Sequence, residues 1–348
     1  MKIVAPISRV AEADLLVRAG ADELYCGIQP PEWLSSFGIA NANRRPSGNL
    51  ASFEELNEAL GAAHVGGASV SLVMNAQHYR GDQVGAAIAI AESFLHLGGD
   101  ALIVSDLGLV AALAEAFPGV RIHVSSVATC RNAEAATFCR ELGARRLILP
   151  RDVTLDEIDS IVAADPQMEI EAFILNDGCV YEEGSCHTIH LPGHMGGPIC
   201  LDSYDHTYSR RDGAPISSAA QSALAENDAE YRKWLWHRFS CGFTTTLEGM
   251  PFGPCGLCAL PRLLAGNVKA VKIAGREGPT TRKLASVRMV RQILDAARSG
   301  QHEAEIRRLA RHLRPSDPQC RTGYMCYYPE VAPSNDDTTL IRTVSVSS

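Results

Sequence analysis

Short runs of apolar, often β-branched residues alternate with amphipathic segments over the first 175 residues of the chain. Each run is too short for a helix and predicts a buried strand. These runs lie at 2–6, 23–28, 68–74, 100–105, 120–125, 145–150 and 168–175. Apolar residues at helical spacing between them predict helices at 9–20, 52–64, 82–97, 107–116, 132–142 and 154–163.

An eighth apolar run at 268–275 is followed by a predicted helix at 280–298. Repeated strand–helix units with apolar, β-branched strands indicate a parallel sheet that is buried on both faces. Eight such units favour the α/β class and a TIM-like (β/α)8 barrel, in which a long cysteine-rich insertion separates strands seven and eight. A doubly wound open sheet is the alternative fold.

This pattern divides the chain into four parts. They are the first seven βα units of the barrel at 1–175, a cysteine-rich insertion at 176–258, the last βα unit with closing helices at 259–312, and an irregular C-terminal tail at 313–348. A polar helix is predicted within the insertion, at 218–236. Because barrel enzymes carry their chemistry at the carboxyl ends of the strands, the segment after strand seven is the first candidate for a site.

The composition is that of a globular protein, with 46% hydrophobic and 21% charged residues. No apolar run reaches the roughly 18 residues of a membrane span. The N-terminal residues lack the pattern of a secretion signal, so we expect a cytoplasmic protein. The formal net charge of −8 argues against a nucleic-acid partner and favours a small molecule or a peptide as substrate.

Eleven cysteines are the most unusual feature of the composition. In a reducing cytosol they are not expected to form a disulfide framework, which leaves metal binding or burial. Cys26 and Cys139 lie within a predicted strand and a predicted helix, and burial explains both. Cys130 follows strand five and could face the barrel mouth, whereas Cys320 and Cys326 near the end of the chain receive no assignment.

The other six cysteines lie in loops or at helix starts, with glycine or proline beside most of them. They are Cys179, Cys186, Cys200, Cys241, Cys255 and Cys258. Thiolates suit zinc or iron–sulfur clusters, and wide spacing over several loops favours a cluster. The pair Cys255–Cys258 is a zinc-type half-site without a second C-x2-C, and the nearby His187, His190 and His194 keep zinc as an alternative.

The segment EAFILNDGCVYEEGSC, residues 171–186, resembles the signature of the collagenase-like peptidases of "unknown catalytic type". This U-type family includes UbiU, UbiV and the tRNA and rRNA hydroxylation proteins. The matching positions are Glu171, Phe173, Cys179, Gly184 and Cys186. RAGADELYCG, GDALIVSDLGLV, GGPICLDSY and LCALPRLLAGNVKAVKIAGR resemble further family segments, so the similarity spans most of residues 1–300. The departures are Asn176-Asp177-Gly178 and Ala274, where the family has other residues.

The resemblance implies an enzyme of oxygen-independent hydroxylation that binds a four-iron four-sulfur (4Fe-4S) cluster and takes its hydroxyl group from prephenate. Carried over by position, the cluster ligands are Cys179, Cys186, Cys200 and Cys258, with Cys241 and Cys255 as alternates for the fourth place. No catalytic residue is assigned.

A dicarboxylate donor such as prephenate requires cationic partners, because the planar fork of arginine matches a carboxylate. Candidate cations lie at or just after the ends of predicted strands. They are Arg44, Arg45, Arg131, Arg151, Lys272 and Arg276. The plain alternative for each one alone is a solvated surface cation, and His123 is expected to be a core histidine.

Two other functions stay open. The first is a collagenase-like peptidase, although the chain has no Gly-x-Ser-x-Gly elbow and no His-Glu-x-x-His helix. Cys186 and His187 are adjacent in sequence, which does not by itself align a thiol with a base. The second is a non-catalytic iron–sulfur subunit that acts with a protein partner or as a homo-oligomer.

Overall fold

In the computed structural model, eight parallel strands form the centre of the molecule. The described residues are 1–38, 42–179, 183–184, 206–235, 244–245, 251–314, 320 and 322–332. The eight strands are Lys2–Pro6, Glu23–Ile28, Ser69–Met74, Ala101–Val104, Arg121–Val124, Ala144–Ile148, Glu169–Leu175 and Ala270–Ile273. Every one of them coincides with a predicted strand to within about two residues, which is the usual uncertainty of element ends.

The strands close into a barrel because strand one pairs with both strand two and strand eight. Val4 of strand one lies opposite Glu23 of strand two, and Ile3 lies opposite Val271 of strand eight. The remaining strands pair in parallel with their neighbours in chain order. The prediction of a TIM-like (β/α)8 barrel is therefore confirmed, and the open sheet is wrong because neither edge strand is left unpaired.

Helices alternate with the strands around the barrel. The described helices are Val10–Arg18, Pro31–Phe37, Phe53–Val65, Gly81–His96, Leu107–Ala116, Ala133–Glu141, Leu155–Ala164, Ser218–Leu235, Leu260–Ala265, Thr280–Arg298 and Glu303–Leu313. Short strands lie at Asn49–Leu50, Thr244–Thr245 and Pro251–Phe252. Ser52 caps its helix by accepting a hydrogen bond from the backbone amide of Glu55, as its side chain predicts. None of the helices in the described ranges has the length and hydrophobicity needed to cross a membrane.

A buried ionic cluster occupies part of the barrel interior. Arg146 Nη1 donates hydrogen bonds to Glu23 Oε2 over 2.6 Å and to Glu171 Oε2 over 3.0 Å. Lys272 Nζ donates to Glu171 Oε1 over 2.9 Å. All four side chains are buried, so each charge depends on its partners for the solvation that water would otherwise supply.

The described residues include only parts of the predicted insertion, 176–258, and of the predicted tail, 313–348. In the insertion, the predicted polar helix corresponds to Ser218–Leu235, but Cys186, Cys200 and Cys241 lie outside the described residues. The cysteine-rich insertion therefore stays a prediction. Part of the predicted tail, 322–332, packs against the barrel, where Tyr328 Oη donates a 2.8 Å hydrogen bond to a strand-seven carbonyl.

Candidate functional site

An unusual backbone turn follows strand seven. Asn176 and Asp177 both adopt positive φ angles, 64° and 55°, in the left-handed region that costs free energy for residues other than glycine. Contacts hold the turn in place: Asn176 Nδ2 donates to Ser286 Oγ over 3.0 Å, and Tyr327 Oη donates to the carbonyls of both Asn176 and Asp177. The turn places Asp177 at the carboxyl ends of the strands, the mouth of the barrel.

The Asp177 carboxylate lies between two arginines. Its Oδ1 is 3.5 Å from Arg45 Nη2, and its Oδ2 is 3.6 Å from Arg151 Nη2. Burial alone would raise the pKa of this carboxyl, but Arg45, Arg151, Arg282 and Arg44 outweigh burial and lower it. Asp177 is therefore ionised at neutral pH and organises the cations around it.

Arg151 connects the end of strand six with the segment after strand seven. Its Nε donates a 2.8 Å hydrogen bond to the Asp177 carbonyl, and its Nη1 donates to the Glu183 carboxylate. Its guanidinium carbon lies 3.9 Å from the centroid of the Phe173 ring, which is cation–π geometry. Burial would lower the pKa of Arg151, but Glu183 and Asp177 raise it above its ordinary value.

Arg44 and Arg45 reach the same place from the loop after strand two. Arg44 Nη1 donates to the backbone carbonyl of Glu183 over 2.9 Å. Arg45 Nη1 lies 3.3 Å from Glu277 Oε2, so Arg45 bridges that carboxylate and Asp177. The side chain of Arg45 is 26% exposed, more than that of Arg44 or Arg151, which makes it the more accessible of these cations.

Arg276, just after strand eight, is buried between two asparagines. Its Nη2 donates to Asn43 Oδ1 over 2.8 Å, and its Nη1 donates to Asn49 Oδ1 over 3.1 Å. Burial lowers the pKa of Arg276. Gly27 makes room for the guanidinium, because a Cβ at that position would lie 2.0 Å from Arg276 Nη1. Any side chain at Gly27 would therefore displace this arginine.

The described residues around the mouth carry more positive than negative side chains. The guanidinium groups belong to Arg44, Arg45, Arg151, Arg276 and Arg282, and the carboxylates belong to Asp177, Glu183 and Glu277. A surplus of arginine at a concave strand end suits an anion such as a carboxylate or a phosphate.

Two of the candidate cations are paired with other carboxylates. Lys272 belongs to the ionic cluster inside the barrel, where its Nζ contacts Glu171 and lies 3.9 Å from the centroid of the Tyr25 ring. Burial lowers the pKa of Lys272 despite the nearby Glu171. Arg131 pairs with Asp152, a carboxylate whose side chain is 63% exposed. Arg44, Arg45, Arg151 and Arg276 are thus the candidates that the structure brings together, and their binding role stays a prediction.

Cys179 lies two residues beyond Asp177, at the edge of this cationic mouth. Its thiol is half-buried and lies within electrostatic reach of Arg151. A thiol in that position, next to Gly178, fits a soft metal or cluster ligand. The other proposed ligands in this loop, Cys186 and Cys200, and the alternate Cys241 lie outside the described residues, as do His187, His190 and His194.

Cys258 and its alternate Cys255 lie next to cysteines that received no assignment. Burial raises the pKa of Cys258 to about 12, and Cys255 and Cys320 add to the effect. Burial likewise raises the pKa of Cys326 to about 12, with Cys255, Cys320 and Cys258 contributing. These shifts disfavour a free thiolate at neutral pH, so neither Cys258 nor Cys326 is suited to attack a peptide bond.

The buried cysteines behave as expected, with one addition. Cys26 and Cys139 are buried, which confirms the prediction for both. Cys130 is also buried, and its Sγ lies 3.2 Å from Cys139 Sγ. The structure therefore explains Cys130 by packing against another thiol.

Sequence reasoning missed four side chains at the mouth: Asp177, Glu183, Arg282 and Tyr327. The available signal was Asn176-Asp177-Gly178, noted only as a departure from the family pattern. Asparagine and aspartate followed by glycine are the residues that most readily occupy left-handed turns. That triplet could have predicted both the turn and a carboxylate at the mouth.

Comparison with known proteins gives consistent matches. The sequence model described as peptidase family U32 matches residues 8–335. The tRNA hydroxylation protein P of Escherichia coli (strain K12) is 30% identical over 185 residues, covering 53% of this chain and 38% of that protein. The 23S rRNA 5-hydroxycytidine C2501 synthase of the same organism is 28% identical over 190 residues, covering 55% of this chain and 26% of that protein. The tRNA hydroxylation protein P1 of Bacillus subtilis (strain 168) is 23% identical over 303 residues, covering 85% of this chain and 63% of that protein.

Each of these matches covers less than two thirds of the relative's own length.

The names of the relatives contradict one expectation drawn from the sequence. The sequence argued against nucleic acid as a partner and favoured a small molecule or a peptide as the substrate. These relatives, however, are named for tRNA and rRNA. The prediction is wrong because a net charge of −8 describes the whole chain, whereas five arginines meet at the barrel mouth.

Proposed function

Because the chain belongs to peptidase family U32, we propose that it is an enzyme that hydroxylates RNA at the mouth of its barrel without dioxygen. The relatives named for hydroxylation of tRNA and rRNA support this activity. Because these matches cover 53% and 55% of this chain, the RNA and the nucleotide that would be modified are not carried over from the relatives.

The observation that carries the proposal is the convergence of arginines beside Cys179. Arg45 and Arg151 flank Asp177, and Arg44 contacts the Glu183 carbonyl from the opposite loop. RNA phosphates and a carboxylate-bearing hydroxyl donor are both anions that arginine binds well. The same mouth therefore suits both substrates of such a reaction.

A hydroxyl group that does not come from dioxygen must come from an organic donor or from water. Prephenate, a dicarboxylate, is the donor we propose, and the partly exposed guanidinium of Arg45 is its first binding partner. Asp177 and Glu183 hold the guanidinium groups in place before any ligand arrives, which reduces the entropy lost on binding. Tyr327 supports this arrangement because it fixes the carbonyls of the turn.

We propose that a four-iron four-sulfur cluster is the cofactor. Cys179, Cys186 and Cys200 would hold it, together with a fourth thiolate from Cys258, Cys241 or Cys255. The described part of this set fits the group, since Cys179 places a thiol at the mouth, with a guanidinium nearby to offset the negative charge of the thiolates. When bound, the cluster would supply one-electron redox chemistry.

The test is an anaerobic assay in which the hydroxyl donor and the protein variant are varied. Purified protein is incubated with RNA that lacks hydroxylated nucleosides, with and without prephenate, and the nucleosides are analysed by mass spectrometry for the gain of one oxygen atom. Arg45→Gln is compared with Arg131→Gln, a matched change at an arginine paired with the exposed Asp152. Loss of one charge-assisted hydrogen bond predicts a decrease of about 10- to 100-fold for Arg45→Gln and little change for Arg131→Gln.

Several results would contradict the proposal. The proposal would be contradicted if RNA gained no oxygen atom in the presence of prephenate and the cluster-loaded protein. It would also be contradicted if Arg45→Gln and Arg131→Gln lost the same fraction of activity. Cleavage of a collagen-type peptide by the same preparation would favour the peptidase alternative. Hydroxylation only after a second protein is added would favour the non-catalytic subunit.

A further inference from the structure

Two buried thiols meet at the mouth end of the barrel, outside the cationic mouth. Cys130 lies in the loop after strand five, residues 125–131, which we call the thiol loop. Cys139 lies on the buried face of the following helix, Ala133–Glu141. Their Sγ atoms are 3.2 Å apart, and no disulfide joins them. Because a disulfide has a sulfur–sulfur distance of about 2.05 Å, the two atoms need to approach by only about 1.2 Å to form one.

The thiol loop is the part of this pair that can move. Thr129, next to Cys130, has a φ angle of 59°, which is in the left-handed region that β-branched residues rarely adopt. The helix Ala133–Glu141 is regular, and its N-cap Asn132 accepts a 2.8 Å hydrogen bond from the Ala135 amide. We therefore expect the strained loop, rather than the helix, to supply the movement that brings the sulfur atoms together.

The contact between the two thiols makes one of them the better nucleophile. The hydrogen bond with Cys130 lowers the pKa of Cys139, although burial acts in the opposite direction. The same hydrogen bond raises the pKa of Cys130, and burial adds to this effect. Because thiolates rather than thiols attack oxidants, Cys139 is the thiol that reacts first and Cys130 the one that resolves the product.

We propose that Cys130 and Cys139 are an oxidative modification site, at which hydrogen peroxide forms a reversible disulfide. The Cys139 thiolate attacks one peroxide oxygen, the oxygen–oxygen bond breaks, hydroxide leaves, and a sulfenic acid remains on Cys139. The Cys130 sulfur then attacks the Cys139 sulfur, the disulfide bond forms, and the sulfenic oxygen leaves as water with the Cys130 proton. The two thiols lose two electrons. With the proton that Cys139 released on ionisation, the peroxide is reduced to two water molecules.

Burial determines which class of oxidant reaches the pair. Cys130 is 5% exposed and Cys139 is 1% exposed. A molecule close to the size of water, such as hydrogen peroxide, needs only a small opening of the thiol loop. Oxidised glutathione must place one of its own sulfur atoms in line with the attacking thiolate, which requires much more space. The pair should therefore respond to peroxide and much less to the glutathione pool.

The thiol loop touches the segment that follows strand seven. A Cβ atom at Gly184 would lie 2.1 Å from Thr129 Cγ2 and 2.2 Å from the Val127 carbonyl oxygen, so the Gly184 backbone packs directly on the loop. Gly184 lies between Cys179 and Cys186 in the sequence. Movement of the loop on oxidation should displace the Gly184 backbone and hence disturb the proposed cluster ligands. Only this consequence for the cluster rests on the proposed function.

The first experiment uses the unmutated full chain, purified and kept anaerobic. It is treated with one equivalent of hydrogen peroxide, denatured, alkylated and digested with trypsin. Cleavage after Arg131 places Cys130 in the peptide IHVSSVATCR and Cys139 in the peptide NAEAATFCR. We expect these peptides to appear joined, lighter than their sum by two hydrogen atoms, and to separate on addition of dithiothreitol. The same equivalent of oxidised glutathione should join them far more slowly.

Two variants test the order of the steps. In Cys130→Ser, a reagent that traps sulfenic acids should label Cys139, because no resolving thiol is present. In Cys139→Ser, the same reagent should leave Cys130 unlabelled. The control Cys26→Ser removes a buried thiol elsewhere in the barrel and should leave the disulfide unchanged. The proposal is overturned if Cys130 and Cys139 stay reduced while other cysteines are oxidised. Equal rates with peroxide and oxidised glutathione would overturn the assignment of peroxide as the oxidant.

Hydrogen exchange tests the effect on the segment after strand seven. Amide exchange is measured in a peptide that contains Glu183 and Gly184, before and after peroxide treatment. We expect this peptide to lose protection in the unmutated chain. Cys130→Ala treated in the same way is the matched control, because it undergoes any peroxide damage to a cluster but forms no disulfide with Cys139. Equal loss of protection in both proteins, or none in an unmutated chain that carries the disulfide, would refute the coupling. Neither experiment depends on hydroxylation, so a failed RNA assay leaves both results interpretable.

Discussion

Arg151 Nε donates a 2.8 Å hydrogen bond to the backbone carbonyl of Asp177, which joins the end of strand six to the turn after strand seven. The same guanidinium contacts the carboxylates of Asp177 and Glu183 and lies over the ring of Phe173. A single buried side chain therefore orients a carboxylate, a backbone turn and an aromatic ring. The cationic mouth depends on this arginine for its shape as well as for its charge.

Arg151→Met is expected to destabilise the protein strongly. The variant leaves Asp177 and Glu183 partly buried without one of their partners, which costs about 3–5 kcal/mol in the free energy of unfolding. Arg131→Met is the matched control, because its partner Asp152 is exposed and the loss should stay below about 1 kcal/mol. Urea denaturation followed by circular dichroism measures both. Similar losses in the two variants would show that Arg151 does not organise the mouth.

Tyr327→Phe tests whether the left-handed turn needs its hydroxyl support. The substitution removes the donor to the carbonyls of Asn176 and Asp177 and keeps the ring beside Phe173. The Asp177 carbonyl keeps its hydrogen bond from Arg151 Nε, so the loss of the donor to the buried Asn176 carbonyl predicts a decrease of about 1–3 kcal/mol in the free energy of unfolding. Tyr208→Phe, at an exposed tyrosine, should change it by less than about 0.5 kcal/mol. An unchanged stability in Tyr327→Phe would mean that other contacts hold the turn.

The barrel could be predicted from sequence because each strand carries its own local signal. Strand seven, Glu169–Leu175, is apolar apart from Glu169 and Glu171, and it was placed to within one residue. The helices Pro31–Phe37 and Leu260–Ala265 were missed because they are too short to show a helical period. The closure of the barrel through strands one and eight is non-local and followed only from the count of βα units.

The site could be predicted less completely, for physical reasons that differ between residues. Arg44, Arg45, Arg151 and Arg276 were found because parallel strands direct the loops that follow them to one mouth. Lys272 is not among them, because it lies within strand eight, where alternation turns its side chain into the barrel and towards Glu171. Cys326 could not be connected with Cys255, since only the tertiary packing of the C-terminal segment brings their backbones together.

The affinity for RNA should depend on salt through the arginines at the mouth. If Arg45 contacts an RNA phosphate as well as the hydroxyl donor, Arg45→Gln weakens RNA binding in the absence of the donor and reduces the slope of log affinity against log salt concentration by about 0.7–1. Arg131→Gln, the control, should leave the slope unchanged if its guanidinium stays paired with Asp152. Fluorescence anisotropy with a labelled RNA over a series of salt concentrations measures both. An unchanged slope in Arg45→Gln would exclude a phosphate contact at this residue.

The ionic cluster inside the barrel predicts a specific loss of stability in acid. Burial alone would raise the pKa of Glu23, but hydrogen bonds from Arg146 and Lys2 lower it to about 2, from an ordinary value of 4.5. A lowered carboxyl pKa stabilises the folded state above the unfolded value, so this contribution is complete above about pH 4.5 and is lost as the pH falls towards 2. Its size is on the order of 3 kcal/mol.

Arg146→Met isolates this contribution. Near neutral pH the variant leaves Glu23 and Glu171 charged and buried without their shared partner, at a cost of about 3–5 kcal/mol in the free energy of unfolding. The difference from the unmutated protein should shrink as the pH falls through the window of Glu23, because a protonated carboxyl no longer needs the arginine. Arg121→Met, at a partly exposed arginine paired with Glu169, should cost less than about 1 kcal/mol. Urea denaturation at several pH values measures these differences. If the free energy of unfolding of Arg146→Met differed from that of the unmutated protein by the same amount at every pH, Glu23 would not titrate in this window.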